Sequence, residues 1–201
     1  MTPLGVALQR ISEALQRASM SFALVGGLAV SVRVEPRFTR DIDLAVAVAS
    51  DAEAEALVRR LASEGWRVSA VIEQEAVNRL ATVRLEAPRD VDTAAVVDLL
   101  FASSGIEPEL ADDADLLEVL PGVTLPVAGV AHLIVLKLLA RAPARPQDQA
   151  DLVALLDAAD DDDRVIARHL ARLVVERGYH RGRDLVAELG SAAPPADASG
   201  R

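Results

Sequence analysis

The chain has 201 residues, of which 51% are hydrophobic, so it can bury the core of one domain, with or without a small appendage, and is not disordered as a whole. It contains no cysteine, which excludes disulfides, thiolate nucleophiles and cysteine-ligated metal sites. Its net charge is −10, from 31 acidic and 21 basic residues, which argues against non-specific binding of nucleic acid by the surface at large.

The first half of the chain predicts helices and strands. Apolar residues spaced four, three and four apart mark one face of a helix, short apolar runs bounded by turn residues mark strands, and Ser50 with Glu53 forms a capping box. The predicted elements are a helix over 3–18, a strand over 22–25, a helix over 28–34, a strand over 41–48, a helix from 51 to the closing Gly65, and strands over 66–72, 79–85 and 95–101.

The second half is predicted to be mainly helical. An acid-rich segment, 107–118, is expected to form an exposed loop or a short helix, and a short strand follows over 123–127. Four helices and a disordered tail rich in Ala, Pro and Ser complete the chain, over 128–140, 147–158, 161–176, 183–189 and 191–201. This order favours an α/β or α+β fold, in which a helical C-terminal subdomain packs on a sheet.

Neither a signal peptide nor a membrane span is expected. Arg10 and Arg17 lie within the amphipathic first helix rather than ahead of an apolar block. The longest uncharged apolar run, 123–136, contains proline, glycine and histidine and is shorter than the roughly 18 residues that a membrane span needs. We therefore expect a soluble cytoplasmic protein with no membrane partner.

Two carboxylates open the predicted strand over 41–48. Because side chains alternate along a strand, Asp41 and Asp43 share one face and lie about 7 Å apart along the backbone. Such a pair can hold Mg²⁺, which prefers oxygen ligands and is commonly bound by one or two carboxylates together with substrate phosphates. The alternative is a strand that begins at the surface with two solvated acids.

Asp98 lies inside a run of valine and leucine, where an unpaired carboxylate is costly because it loses its hydration. If its strand neighbours that of Asp41, three carboxylates converge and can bridge two metal ions. The alternative is a buried salt bridge with Arg84 on the preceding strand. Asp90 and Asp92 are weaker candidates for the third acid because they lie in a predicted turn.

Residues suited to binding phosphate precede the paired acids. Gly26 and Gly27, between a strand and a helix, let backbone N–H groups approach a polyanion at a helix N-terminus, although an ordinary tight turn also explains them. Arg37, Thr39 and Arg40 lie in the loop before the acids and supply donors for phosphate oxygens. As single residues, such loop positions are more often solvated.

Together these segments resemble the AbiEii-type nucleotidyltransferase toxins, within the polymerase-β-like superfamily of minimal nucleotidyltransferases. The resemblance covers roughly residues 22–155 and rests on Val25-Gly26-Gly27, Arg37-Phe38-Thr39-Arg40-Asp41-Ile42-Asp43-Leu44, Val97-Asp98-Leu99, Leu136-Lys137-Leu138-Leu139-Ala140 and Asp148-Gln149-Ala150-Asp151-Leu152. Gln147 stands where the family has Lys or Arg. The basic surface that suits RNA in the family is not evident in so acidic a chain.

The resemblance implies a role for each matching residue. The catalytic acids, which would hold two Mg²⁺ or Mn²⁺ ions, are Asp41, Asp43 and Asp98, and Asp98 would also accept the proton of the acceptor hydroxyl. The phosphates of an NTP would be bound by Gly26, Gly27, Arg37, Thr39 and Lys137, with Asp148 and Asp151 in a second tier. For Lys137, the only lysine of the chain, the alternative is a chance position on a helix surface. The implied domains are a nucleotidyltransferase core over 1–127, a helical subdomain over 128–190 and a tail over 191–201.

The implied activity is the metal-dependent transfer of NMP from an NTP to the 3′ end of an RNA, in particular a tRNA, by a toxin that has an antitoxin protein as its partner. One alternative is the same transfer to a small molecule such as an aminoglycoside, or to a protein. Another is a catalytically silent module that binds a partner protein, against which the full set of acids argues. An acidic cleft would favour a cationic aminoglycoside, whereas a basic groove beside the acids would favour RNA.

Overall fold

The structure, a computed structural model, describes residues 2–34, 39, 41–91, 95–142 and 144–192. Within these ranges the helices are α1 (Pro3–Arg17), α2 (Gly26–Arg33), α3 (Asp51–Ser63), α4 (Glu107–Asp112), α5 (Val130–Ala140), α6 (Pro146–Ala158), α7 (Asp161–Glu176) and α8 (Leu185–Ala192). The strands are β1 (Phe22–Val25), β2 (Asp41–Val46), β3 (Arg67–Gln74), β4 (Arg79–Glu86), β5 (Val96–Leu100), β6 (Asp115–Leu120) and β7 (Val123–Val127).

The strands form one mixed sheet in the order β3-β4-β5-β2-β1-β7-β6. Strand β2 runs antiparallel to β1 and parallel to β5, and β5 runs antiparallel to β4. Strand β7 is parallel to β1 and carries β6 antiparallel at the edge of the sheet. The predicted fold class, a mixed α/β sheet with flanking helices, is confirmed.

The central strands bury their apolar positions on one face of the sheet. Ile42 and Leu44 of β2, like Val97 and Leu99 of β5, are fully buried. Because side chains alternate along a strand, the intervening positions 43 and 98 project from the opposite face. Burying each of the large apolar side chains contributes about 1.5–3 kcal/mol, so the core holds β2 and β5 in fixed register beneath the carboxylates.

The C-terminal helices pack around α5. This helix is apolar on nearly all sides, and its residues Leu133, Ile134 and Leu138 are fully buried against α2, α6, α7 and α8. A helix with this pattern has no solvent face, so other helices must surround it. Its single charged side chain, Lys137, is therefore carried into the interior. The proposed division between residues 127 and 128 stays a prediction.

The acid-rich segment departs in part from its prediction: the short helix, one of the two predicted alternatives, is present as α4, but a strand follows it. Helix α4 and strand β6 occupy most of it, and Glu107 is buried rather than exposed, with 2% of its surface accessible. Strand β6 escaped prediction because Asp115 and Glu118 interrupt its apolar alternation.

Smaller differences concern two helix ends. Helix α2 begins at Gly26, so the glycine pair forms its first turn rather than a separate turn. Helix α8 continues through Ser191 and Ala192, two residues into the predicted tail, and residues 193–201 lie outside the described residues. None of the helices in the described ranges has both the length and the apolar character to cross a membrane.

Candidate active site

Asp43 and Asp98 are direct neighbours in the sheet. The parallel register of β2 and β5 pairs Asp43 with Asp98 and Asp41 with Val96. Neighbouring strands lie about 4.8 Å apart, so carboxylates at paired positions on one face approach each other closely. The sequence placed three acids together only on condition that these two strands are adjacent, and the structure meets that condition.

Gly26 closes one side of this row of acids. It follows Val25, which pairs with Asp43 across β1 and β2, and its φ is +66°. A Cβ added at Gly26 would lie 1.9 Å from Oδ2 of Asp43. Both the left-handed backbone and this close approach require glycine. Since the N-cap side chain of Val25 accepts no hydrogen bond, the first N–H groups of α2 can bind an anion beside Asp43.

The electrostatic environment of Asp43 opposes its ionisation. Burial, and after it the negative charges of Asp98 and Asp41, raise its pKa to about 7, against a smaller opposing effect of Lys137 and Arg84. Like charges in a partly buried site disfavour each other because little water screens them. A cation bound among these oxygens would relieve the repulsion.

Arg84 satisfies Asp98 from the next strand. The antiparallel register of β4 and β5 pairs the two residues, and Arg84 donates from Nε and Nη2 to Oδ1 and Oδ2 at 2.8 and 2.7 Å. The salt bridge foreseen as the alternative for Asp98 therefore forms. It is not buried in the core, since 46% of the Arg84 side chain and 13% of the Asp98 side chain are exposed. The pKa of Arg84 is raised further by this hydrogen bonding.

The donor set fits a hard cation in part. Asp41 is exposed at the start of β2, and its carboxylate and that of Asp43 supply the oxygen ligands that Mg²⁺ prefers. Asp98 presents both of its oxygens to Arg84 instead. In the described parts of the chain, accordingly, no three His, Asp or Glu side chains are already grouped to hold a metal ion.

A cleft of about 770 Å³ opens over the acids. The residues of the sequence prediction that line it together are Gly26, Gly27, Thr39, Asp41, Asp43, Asp98, Lys137 and Asp148. Arg37 and Arg40 lie outside the described residues. Asp90, the rejected candidate for the third acid, instead forms an exposed salt bridge with Arg10 at 2.7 Å, and Asp92 lies outside the described residues.

Lys137 lines the cleft, and its ammonium group forms salt bridges with two carboxylates on α6. Its Nζ lies 2.7 Å from Oδ1 of Asp148 and 2.8 Å from Oδ2 of Asp151, and the residue is only 7% exposed. Gln147 donates to the second of these acids, at Oδ1, over 3.1 Å. The position is therefore not a chance one on a helix surface. The Asp148 and Asp151 side chains fix the ammonium group at the wall of the cleft.

Sequence reasoning missed several residues that line the cleft. Arg145 and Arg181 belong to none of the motifs, and only packing of the C-terminal segment brings them to the cleft. Ile72, Thr82 and Leu100 form a cross-strand row beside the row of Arg84 and Asp98, on the same face. Strand alternation in β3, β4 and β5 would have placed them there, had the strand order been known.

Comparisons with known proteins identify the family and the fold. The sequence matches the family described as "Nucleotidyl transferase AbiEii toxin, Type IV TA system" over residues 7–199. No curated protein matches the sequence.

Among solved structures, the fold resembles the antibiotic-resistance factor ANT(2'')-Ia in solution, with a TM-score of 0.54 and 17% identity over 89% of this chain and 97% of that one. It also resembles the crystal structure of that factor in complex with adenylyl-2''-tobramycin, with a TM-score of 0.53 and 14% identity over 85% and 98%. A third neighbour is an antigenic nucleotidyltransferase-like protein from Paracoccidioides brasiliensis, with a TM-score of 0.50 and 15% identity over 94% and 91%. At such identities the likeness establishes the fold.

Proposed function

The chain belongs to the AbiEii family and is a nucleotidyltransferase, and from this premise we propose that it moves a nucleoside monophosphate from an NTP to the 3′ hydroxyl of an RNA, in particular a tRNA. In this proposal the protein is a cytoplasmic toxin whose activity arrests growth and whose partner is an antitoxin protein. The observation that carries the proposal is the cleft in which Asp43, Asp98, Gly26 and Lys137 meet.

The part of the site that would bind the NTP is proposed from the charges of its side chains and of the helix N-terminus. Asp41 and Asp43 would hold a divalent ion, Mg²⁺ or Mn²⁺, of the kind that nucleotidyltransferases generally use. When bound, such an ion lowers the pKa of the acceptor hydroxyl and neutralises the leaving pyrophosphate. Backbone N–H groups of Gly26 and Gly27 bind phosphate oxygens at the start of α2, and Lys137 adds a compact positive charge.

Asp98 is suited to take the proton of the acceptor hydroxyl. It lies beside Asp43 and faces the cleft, but Arg84 occupies both of its oxygens. Because the guanidinium group is half exposed, it can turn away when the substrates enter. One oxygen of Asp98 then accepts the proton, and the hydroxyl attacks the α-phosphate of the NTP as pyrophosphate leaves.

The choice of RNA as acceptor rests on the distribution of charge in the cleft. Besides Arg84 and Lys137, which are paired with acids, the lining contains Arg145 and Arg181, which suit a polyanion rather than a cationic aminoglycoside. A small hydroxylated acceptor has in its favour the likeness to ANT(2'')-Ia, solved with adenylyl-2''-tobramycin. At 14% identity that likeness concerns the fold, and the two arginines are our reason for proposing RNA.

The test is transfer of label from each α-labelled NTP, with Mg²⁺ or Mn²⁺, to total tRNA, to aminoglycosides and to lysate protein. We expect labelled tRNA with the wild-type protein and a loss of at least about 10³-fold with Asp43→Asn, the order that removal of a preorganised charge costs. Asp90→Asn, the same change in an exposed salt bridge outside the cleft, should retain activity. Expression of the wild type, but not of Asp43→Asn, should arrest growth.

Two outcomes would contradict the proposal. Undiminished transfer by Asp43→Asn in a protein that is correctly folded would remove the mechanism. Label found on aminoglycosides or protein, with none on tRNA, would leave the nucleotidyltransferase activity intact and refute the acceptor.

A further inference from the structure

Two arginines line the cleft beyond the C-terminal end of β5. Arg181 donates from Nη2 to the carbonyl oxygen of Ser103, five residues after Asp98, and from Nη1 to that of Leu139 at the end of α5. Arg145 lies in the loop before α6 and also lines the cleft. The segment that Arg181 contacts therefore follows the C-terminal end of β5, whereas Gly26 lies beside Asp43 near the start of the parallel strand β2.

The charge of Arg181 is poorly compensated. Both of its hydrogen bonds are long, at 3.4 Å, and both end on carbonyl oxygens. No carboxylate from the described ranges forms an ion pair with it. Arg183, two residues later, differs in this respect, because its guanidinium group forms a salt bridge with Glu188 and donates to Leu138 O at 2.8 Å.

Other positive charges surround Arg181. Burial lowers the pKa of its guanidinium group, and the charges of Arg145 and Arg183 lower it further. The carboxylate nearest to Arg145 is that of Asp148, at 3.9 Å, and Lys137 already binds it at 2.7 Å. Among these side chains of the described ranges, Arg181 is the one without a carboxylate partner, and a bound anion would relieve the repulsion from its neighbours.

The backbone at Arg181 points to the same conclusion. Its φ is +54°, in the left-handed region, where a residue with a side chain is disfavoured in free energy. Strain of this kind persists where the surrounding structure enforces it and is concentrated at binding sites. Here it keeps the guanidinium group of a surface-exposed residue against the wall of the cleft.

We propose that Arg145 and Arg181 bind phosphodiester groups of the acceptor RNA close to its 3′ end, an inference that rests on the proposed function. A guanidinium group matches two phosphate oxygens at once, which suits a strand that must be held in register. The acceptor rather than the NTP is the ligand because Arg181 contacts the segment that follows Asp98, the acid assigned to the acceptor hydroxyl. The donor phosphates have Gly26, Gly27 and Lys137.

An apolar row of the sheet completes this half of the cleft. Thr82 pairs with Leu100 on one side and with Ile72 on the other, and all three line the cleft. Ile72 is 54% exposed on the edge strand β3, so its apolar side chain is accessible from the cleft. A nucleotide offers both an anionic phosphate and an apolar base face, so the row and the arginines fit one ligand.

The test measures binding and catalysis separately. Binding of fluorescein-labelled tRNA is followed by anisotropy without NTP and with EDTA, at several salt concentrations, for the wild type, Arg145→Gln, Arg181→Gln and Arg59→Gln. Arg59 is the matched control for Arg145, since each side chain is 68% exposed and each lies loosely beside one carboxylate, but Arg59 is on α3 outside the cleft. Steady-state transfer with each variant then gives KM for NTP and for tRNA.

We expect Kd and KM for tRNA to rise about tenfold for Arg145→Gln and for Arg181→Gln, with KM for NTP and the Arg59→Gln protein unchanged. The slope of log Kd against log salt concentration should fall by about 0.7–0.9 for each phosphate that the variant no longer neutralises. If Arg181→Gln loses its fold, as thermal melting would reveal, Arg145→Gln in the exposed loop still decides the question.

Three results would overturn the inference. If the wild type binds and labels tRNA while both cleft variants behave as Arg59→Gln does, the arginines do not hold the acceptor, and the proposed function stands. If KM for NTP rises and tRNA binding does not change, they hold the donor. If the wild type neither binds nor labels tRNA, the proposed function fails and this inference fails with it.

Discussion

Glu107 and Asp43 are both withdrawn from bulk water, and their surroundings differ in kind. Oε1 of Glu107 accepts hydrogen bonds from Ser103 N, Ser104 N and Ser104 Oγ at 2.9, 2.7 and 2.9 Å, and Oε2 accepts one from Gly105 N at 2.9 Å. Asp43 instead faces carboxylates on its own strand and the next, and no donor of the described ranges hydrogen-bonds to its side chain.

The difference fits a structural role for Glu107 and the catalytic role that we propose for Asp43. Burial raises the pKa of both side chains, but at Glu107 the backbone and hydroxyl donors lower the pKa in opposition. The chain itself therefore compensates Glu107, whereas Lys137 and Arg84 only partly offset the repulsion around Asp43, which a proton or a bound cation would relieve. A site whose charges conflict within an otherwise satisfied fold is typical of function.

The two sites are also connected. Ser103 and Ser104, which donate to Glu107, line the cleft near Arg181. At Gly105 φ is +76°, and an added Cβ would lie 2.4 Å from Cδ2 of Tyr179, so the loop is closely packed at its next residue. The hydrogen bonds of Glu107 thus hold one wall of the cleft in which Asp43 lies.

The largest expected effect is the pH dependence of stability that arises from Asp43. The pKa of Asp43 is about 7 in the folded protein and about 3.8 in the unfolded chain, so the folded state binds the proton more tightly. Without metal, this carboxylate should cost no stability near pH 4, progressively more as the pH rises towards 7, and a constant amount above 7. Linkage limits the loss to about 4 kcal/mol.

The measurement compares the wild type with Asp43→Asn by chemical denaturation in EDTA from pH 4 to 8. The unfolding free energy of the variant should exceed that of the wild type by an amount that grows with pH. Excess Mg²⁺ should reduce the gap, because the ion binds only the folded wild type tightly. A difference that stays flat across the pH range would show that Asp43 is not strained by its neighbours.

Removal of the Glu107 carboxylate should lower stability, whereas removal of the Asp43 charge should raise it. Glu107→Ala leaves three backbone N–H groups without an acceptor in a buried loop, so we expect a loss of about 2–3 kcal/mol in unfolding free energy. Glu55→Ala, which removes an exposed carboxylate from α3, is the control and should change stability by less than about 0.5 kcal/mol. Equal effects of the two substitutions would mean that the loop donors find water instead, and Glu107 would not be structural.

The parts of these sites that the sequence predicts are those that depend on local patterns along the chain. Strand alternation placed Asp41 and Asp43 on one face, and the apolar run around Asp98 indicated a partner for it, because both are local patterns. The adjacency of β2 and β5 is a matter of topology, which local pattern does not determine.

The failures have the same origin. Glu107 was assigned to an exposed acidic segment, since composition says nothing about the loop N–H groups that surround its side chain. Arg181 was missed because only tertiary packing of the last loop against α5 brings it to the cleft. The lysine on α5 was predicted to face the phosphates, yet its two acidic partners could be placed only when α6 was seen beside it.

The smallest expected effect concerns Arg84. This residue satisfies a carboxylate, as the donors around Glu107 do, but it lies in the site of Asp43. It satisfies Asp98 as the loop satisfies Glu107, but it is a side chain, half exposed, and able to leave. If it competes with a metal ion for Asp98, Arg84→Gln should lower the Mg²⁺ concentration for half-maximal transfer. An exposed pair contributes up to about 1 kcal/mol, so the shift should be roughly fivefold at most.

Arg67→Gln provides the control, because Arg67 also pairs with a strand carboxylate, that of Glu86 at 2.6 Å, and is similarly exposed, but lies outside the cleft. Its Mg²⁺ dependence should match that of the wild type. A higher Mg²⁺ requirement in Arg84→Gln would reverse the assignment: the guanidinium group would then orient Asp98 for the ion rather than compete with it. The direction of the change in Mg²⁺ requirement thus decides between two roles for Arg84. It either satisfies Asp98 as the loop satisfies Glu107, or it orients Asp98 as part of the proposed cation site.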